Sequence, residues 1–468
     1  MEETEREQNL TIPNKYAIQL LVVCLIMFAT ANIFHFKLGD LGISPYFLLY
    51  TGATLALFLA YLNIELALIL FIYTIPVVTY SIPGLPFFFT FADAFLIVLV
   101  IVWLSRAILK KEFTLYQTFL DRYLFIFILL SIVSLFNSRD FGHGLSEVVQ
   151  TLEFFVFSYY FFCTVVKKRE LLSAVFQAIT FSSVFFSLYG IHQYFINGGG
   201  DFRVFSTLGH FNAFGAYLSM MILMIFNFML SERNRLMRLV YLAVLGVDLI
   251  ALILTFSRGA WIAMVAGIMV SAWLRGLTQF VKAFTAIVMF FIMLSMVAPP
   301  AVIGRASSIT RVDDKSSVIR LKQYGIAVET MSRYPLLGVG IMSMDAYVWE
   351  EYNWYGAGKI HNLFLWVGSE RGIPAMLCLL AIFGVFFIKA REKIEQADEE
   401  LLRSCYIGLF SALLTYFIIN LTALHLVRGL GIFLGMFLGL FQAIAKIEEG
   451  ESSHQPYFVS RATTILRR

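Results

Sequence analysis

Long apolar runs separated by short polar turns dominate the chain. They lie at about 16–34, 46–62, 65–83, 88–105, 120–137, 149–166, 171–195, 211–230, 237–254, 259–274, 279–298, 361–388, 401–424 and 427–445. Each approaches the roughly 20 apolar residues that a helix needs to cross a bilayer. The pattern therefore predicts an all-α integral membrane protein with about 12–14 transmembrane helices. The first run lacks the short apolar region and small-residue cleavage site of a signal peptide, so it reads as an uncleaved span. No internal repeat is evident. Residues 1–468 read as one polytopic membrane domain, interrupted by a single long polar stretch at 299–360.

That stretch has its own order. Pro299-Pro300 opens it, and Ser316 or Ser317 is placed to cap a helix from Val318 to about Ser332, stopped by Tyr334-Pro335. Arg320, Tyr324, Ala327 and Met331 share one face of that helix through steps of four and three. Gly338-Val339-Gly340 reads as a turn, and Trp349, Tyr352, Trp354 and Tyr355 follow. Aromatics of this kind favour the membrane–water interface, which predicts a loop lying on the membrane. His361 then opens a run reaching Lys389, about 42 Å as one helix at 1.5 Å per residue. Gly368, Gly372 and Ala375 form a small-residue stripe on it.

Composition agrees and removes other classes. The chain is 59% hydrophobic and 14% charged, against about 45–50% and 25% in soluble domains. Disordered, collagen-like, disulfide-rich secreted and nucleic-acid-binding proteins are excluded. Cys24, Cys163, Cys378 and Cys405 are widely spaced in apolar stretches without a CxxC pair, and read as buried hydrophobes.

Charge orients the chain. With the N-terminus inside, 22 of the 35 Lys and Arg fall in cytoplasmic segments, including Lys110-Lys111 and Lys167-Lys168-Arg169. The short outer loops hold one each: Lys37, Arg139, Arg203, Arg258 and Arg428. The positive-inside rule then gives an N-in, C-in topology with 299–360 on the extracytoplasmic side of the membrane.

Polar residues inside spans are costly, and under this topology they gather at the outer side: Asp93, Glu153, His192-Gln193 and Asn420. His35, His143, His192, His210, His361 and His425 fall in or beside outward-facing segments. Arg258 sits in a sharp turn between two apolar spans, where a lone cation also suits lipid headgroups. Glu370-Arg371 reads as a structural ion pair with neighbours.

Ser257-Arg258-Gly259-Ala260, then Arg320 with Tyr324, then Tyr334-Pro335-Leu336-Leu337-Gly338-Val339-Gly340, then His361-Asn362 with Gly372, taken in order, resemble the O-antigen ligase and polymerase superfamily. Gly209-His210-Phe211-Asn212-Ala213-Phe214-Gly215 is similar to a less specific segment of that family. The resemblance covers roughly 200–440. Where the family usually ends this region in Gly-x-x-Gly, the chain has Gly372-Ile373-Pro374-Ala375.

The resemblance implies a metal-independent glycosyltransferase of the bacterial inner membrane, without cofactor, acting on its outer face. Its donor would be a glycan linked to undecaprenyl diphosphate, and its acceptor a glycan or a lipid A core. Membrane lipids and other polysaccharide-assembly proteins are its expected neighbours. Arg258 and Arg320 would hold the diphosphate, since guanidinium groups make bidentate phosphate contacts. His361 would take the proton of the acceptor hydroxyl. Arg203, His210, Asn212, Tyr324 and Asn362 are expected to bind substrate. A flippase of lipid-linked sugars would also span the membrane many times. Such transporters tend to have repeated halves and broken helices near the midplane, and the sequence has no sign of either. A non-catalytic scaffold would leave the outward Arg and His without a purpose.

Overall fold

The computed structural model describes residues 60–78, 90–109, 117–297, 300–307, 315–354, 359–427 and 429–453. The expected span at 16–34, nearly all of that at 46–62, and Cys24, His35, Lys37, Tyr355 and Arg428 lie outside these residues. Within them the chain is helical and contains no strand. In chain order the helices are α1 (Ile64–Thr74), α2 (Phe91–Leu109), α3 (Asp121–Ser134), α4 (Phe141–Val165), α5 (Arg169–Ile196), α6 (Phe211–Ser231), α7 (Arg235–Leu254) and α8 (Arg258–Leu274). There follow α9 (Leu277–Val297), α10 (Pro300–Ser307), α11 (Lys315–Arg333), α12 (Met344–Tyr352), α13 (Leu363–Arg371), α14 (Ile373–Gln396), α15 (Glu400–Asn420) and α16 (Leu430–Ser453).

Among the described residues seven helices, α4, α5, α6, α7, α14, α15 and α16, are long and apolar enough to cross a membrane. The chain is an all-α integral membrane protein. Its outer surface is apolar, as lipid requires: Leu236, Leu239 and Leu242 stand exposed along α7. By contrast α6 and α16 are buried over almost their whole length.

Close approach explains α16. Gly431, Gly435 and Gly439 repeat every four residues on one face, where an added Cβ would strike the Phe154 ring, the Phe154 carbonyl and the Tyr159 carbonyl of α4. Small residues at this spacing let membrane helices pack backbone to backbone. Opposite them, α4 widens into a π-turn at Glu153–Ser158, and the Ser158 hydroxyl donates to the Ile432 carbonyl at 2.9 Å. This stripe was legible in the sequence, which instead drew attention to Gly368, Gly372 and Ala375.

The expected 42 Å helix from His361 is two helices. Gly372 adopts φ 88° and ψ 164°, a region open only to glycine. It ends α13 and lets Pro374 start α14 in its first turn. The break is filled by the loop: Ile373 N–H donates to the Pro335 carbonyl at 2.8 Å, Val339 N–H to Ser369, and Gly340 N–H to Glu370.

Of the two residues expected to form ion pairs at Glu370-Arg371, Arg371 does so and Glu370 instead accepts main-chain hydrogen bonds. Arg371 is fully buried and meets Glu147 of α4 at 3.0 Å, with Ser131 and Thr151 also accepting from it. Glu370 accepts from the main-chain N–H groups of Met342 and Met344. These contacts tie α13 to α3 and α4 on one side and to the 334–344 loop on the other. The loop helix runs over Lys315–Arg333, close to its expected bounds, so Ser316 and Ser317 fall in its first turn. Two further helices, α10 and α12, occur where none was anticipated. Pro300 at the first position of α10 is favourable, because its missing N–H would be unpaired there anyway.

Candidate active site

The N-termini of α6, α8, α11 and α13, the loop after α15, and the short helix α10 converge on one cavity. It measures about 260 Å³. Arg203, His210, Asn212, Arg258, Arg305, Arg320, His361 and His425 all line it, and among the described residues no carboxylate does. These side chains come from separate segments over more than 200 residues of sequence. Helix N-termini add positive potential from their free N–H groups.

A strained turn sets the position of Arg258. Phe256 has φ 51°, a left-handed conformation that is unfavourable for a residue with a bulky Cβ substituent. Its carbonyl accepts from Arg203 Nη2 at 3.0 Å and from Arg305 Nε at 3.1 Å. Arg203 Nε also donates to the Thr255 carbonyl at 3.0 Å, and its guanidinium lies 3.3 Å above the Phe211 ring centre. Two arginines thus hold the turn from which Arg258 begins α8. Asn212 joins the same net, accepting from the Ser257 hydroxyl at 2.9 Å.

His210 caps α6: its Nδ1 accepts from Asn212 N–H at 3.1 Å. In the neutral ring this leaves the proton on Nε2. Burial, then Arg203, holds its pKa below the ordinary histidine value. Burial is also the largest cause lowering His361, followed by the charges of Arg320 and His210. Arg203 is brought down to about 10 by burial and by Arg305, Arg258 and Arg320. The four guanidinium groups therefore share one field.

Tyr324 and Asn362 line neither this cavity nor its neighbour. The Tyr324 hydroxyl is directed to the His361 carbonyl. Asn362 caps α13 by accepting from Phe364 and Leu365 N–H, both at 3.0 Å, and its Nδ2 donates to the Leu421 carbonyl at 2.9 Å. Both ends of this amide are occupied, which makes it a brace behind His361. Sequence reasoning passed over Arg305 and His425. Arg305 had no motif around it. His425 carries no signal in the sequence beyond being one of several outward histidines, and it lies buried at the cavity wall.

No curated protein matches the chain significantly. Residues 242–380 match the O-antigen ligase family, a stretch running from α7 into α14 and including Arg258, Arg305, Arg320 and His361. This match, over part of the chain, supports a relation to the O-antigen ligase and polymerase superfamily.

Proposed function

We propose that the protein transfers or polymerises a surface glycan carried on undecaprenyl diphosphate, at the outer face of a bacterial inner membrane. The observation carrying this reading is the cavity that, among the described residues, is lined by four arginines and three histidines without a carboxylate. Such a lining suits a diphosphate.

The acceptor hydroxyl oxygen attacks the anomeric carbon of the donor sugar. The bond from that carbon to the diphosphate oxygen breaks, and the diphosphate leaves with the electron pair. The acceptor proton passes to His361, neutral at physiological pH because its pKa is lowered. Arg258 and Arg320 meet the charge that grows on the leaving group, fixed in advance and so free of reorganisation cost. They take the part that a divalent cation plays elsewhere, so the transfer is proposed to need no metal. Arg203 and Arg305 hold the turn beneath Arg258 and add to the field. His210 and Asn212 offer polar groups to the donor, while Tyr324 and Asn362 position His361. The excess of Lys and Arg in the segments between the other helix ends supports an outward-facing site.

The test uses full-length protein in nanodiscs, given an undecaprenyl-diphosphate oligosaccharide with and without a lipid A core, with products sized on a gel. Transfer is expected to persist in chelator and to fall by at least about 100-fold in His361→Ala and Arg258→Ala. Products without a lipid A core mark a polymerase, and products only with it a ligase. Full activity in both variants would remove the site assignment, and a strict metal requirement would remove the mechanism.

A further inference from the structure

A second, larger cavity of about 720 Å³ adjoins the cationic one, within the range of about 300–1,000 Å³ typical of ligand pockets. The two share a wall that includes His210, His361 and His425. Their chemistry differs. Among the described residues no guanidinium lines the larger chamber; one ammonium, that of Lys359, lines it together with the carboxyl groups of Glu147, Asp345 and Glu370, the Gln150 amide and the Trp366 indole. Carboxyl and amide groups bind hydroxyls well, and an aromatic face accepts the apolar face of a sugar ring. Glu147 is fixed by Arg371, and Glu370 by two main-chain N–H groups, so part of this lining is preorganised.

His425 supplies an independent observation. It is only 4% exposed, and its Nε2 has no hydrogen-bond partner among the described residues. Leaving such an atom unpaired costs about 1–3 kcal/mol. The rest of the residue is anchored: its N–H donates to Asn420 at 2.8 Å and its carbonyl accepts from Tyr416 at 2.8 Å. The imidazole is thus held in the wall of both cavities with one nitrogen unused.

We infer that the larger chamber receives the sugar of the acceptor, that it is built for an uncharged saccharide, and that His425 Nε2 hydrogen-bonds that sugar beside His361. This rests on the reaction proposed above, in which the acceptor must reach His361 from the side away from the diphosphate. Among the described residues the chamber sets a single cation, Lys359, against three carboxyl groups, so neither a phosphate nor an acidic sugar finds a cationic lining there.

The experiment has two arms, both on full-length protein in nanodiscs. In the first, Gln150→Cys introduces a thiol on the chamber wall, and its reaction with a methanethiosulfonate reagent is timed against the parent protein. Glucose, galactose, rhamnose and N-acetylglucosamine at tens of millimolar are the probes, with inorganic pyrophosphate for comparison. At least one neutral sugar is expected to slow labelling several-fold while pyrophosphate does not. Slowing by pyrophosphate alone, or by none of the sugars, overturns the assignment. In the second arm, Gln150→Trp fills the chamber and His425→Gln alters the shared wall. Undecaprenyl diphosphate should bind Gln150→Trp within twofold of the parent. Transfer should fall at least tenfold in Gln150→Trp, and the acceptor KM should rise about tenfold in His425→Gln, by more than the donor KM. Parental transfer by Gln150→Trp would overturn the inference and leave the proposed reaction standing. A parent protein that neither binds undecaprenyl diphosphate nor transfers glycan would defeat the reaction, while the thiol arm still decides the chamber.

Discussion

Tyr324 holds His361 by its main chain: the phenol hydroxyl lies 2.8 Å from the His361 carbonyl oxygen and 3.2 Å from that of Leu421. One side chain on α11 thus joins the segment before α13 to the end of α15. Asn362 repeats the link by donating to the same Leu421 carbonyl. Removing the hydroxyl in Tyr324→Phe should cost about 0.5–1.5 kcal/mol, the net worth of one hydrogen bond. If that loss falls on the transition state, kcat drops about 2- to 12-fold with donor KM nearly unchanged. Steady-state rates on the lipid-linked donor would reveal it, and a rise in donor KM alone would place Tyr324 on the substrate.

The pair of Arg371 and Glu147 predicts an asymmetry. Breaking a buried ion pair from one side leaves an uncompensated charge and costs about 3–5 kcal/mol. Arg371→Met and Glu147→Gln should each lower the melting temperature sharply in detergent. The double variant should recover part of the loss, since replacing both charges removes the stranded one. Equal damage in all three proteins would show that the pair acts through something other than its charge.

The pH dependence of transfer follows from His361. Its folded pKa lies below 6.5, first through burial and then through Arg320 and His210. The base form is therefore intact at neutral pH, and activity should decline only as pH falls through a value under 6.5. Arg320→Gln removes one cause of the lowering, so the acid limb of its residual activity should move upward. A rate profile from pH 4.5 to 8 tests both signs; a limb above 6.5 in the parent would exclude His361 as the base.

A stability profile against pH should single out His425, whose pKa is pushed down to about 3 chiefly by burial. The unfolded chain binds this proton near pH 6.5 and the folded one does not. His425 therefore costs no stability above 6.5 and progressively more as pH falls below it, about 1.4 kcal/mol per unit. His425→Gln should lose less melting temperature between pH 7 and 5 than the parent. Parallel curves would mean that the imidazole is hydrated in solution.

Gly372 should tolerate no side chain. Its backbone angles are open only to glycine, and a Cβ would strike the Leu336 carbonyl. Gly372→Ala is expected to cost more than the 1–3 kcal/mol of backbone strain, roughly, because the 334–341 loop must also retreat. Yield of folded protein after detergent extraction is the measure. A normal yield would mean that the break between α13 and α14 relaxes at little cost.

The sequence by itself determined that this chain is helical and lives in a membrane, because transfer of apolar surface out of water depends on composition and run length alone. Ordered motifs also brought Arg258, Arg320 and His361 forward. Helices that are apolar all round, however, carry little signal about which face meets which neighbour. Only the tertiary structure decided that α13 stops at Gly372, since the loop that fills the break lies some thirty residues earlier. It alone brought Arg305 and His425, which had no motif of their own, to the same wall as His361. It also separated the residues facing the cavity from Tyr324 and Asn362 behind it. Those distinctions rest on hydrogen bonds between segments far apart in the chain, such as Tyr324 with Leu421, and local sequence carries no record of them.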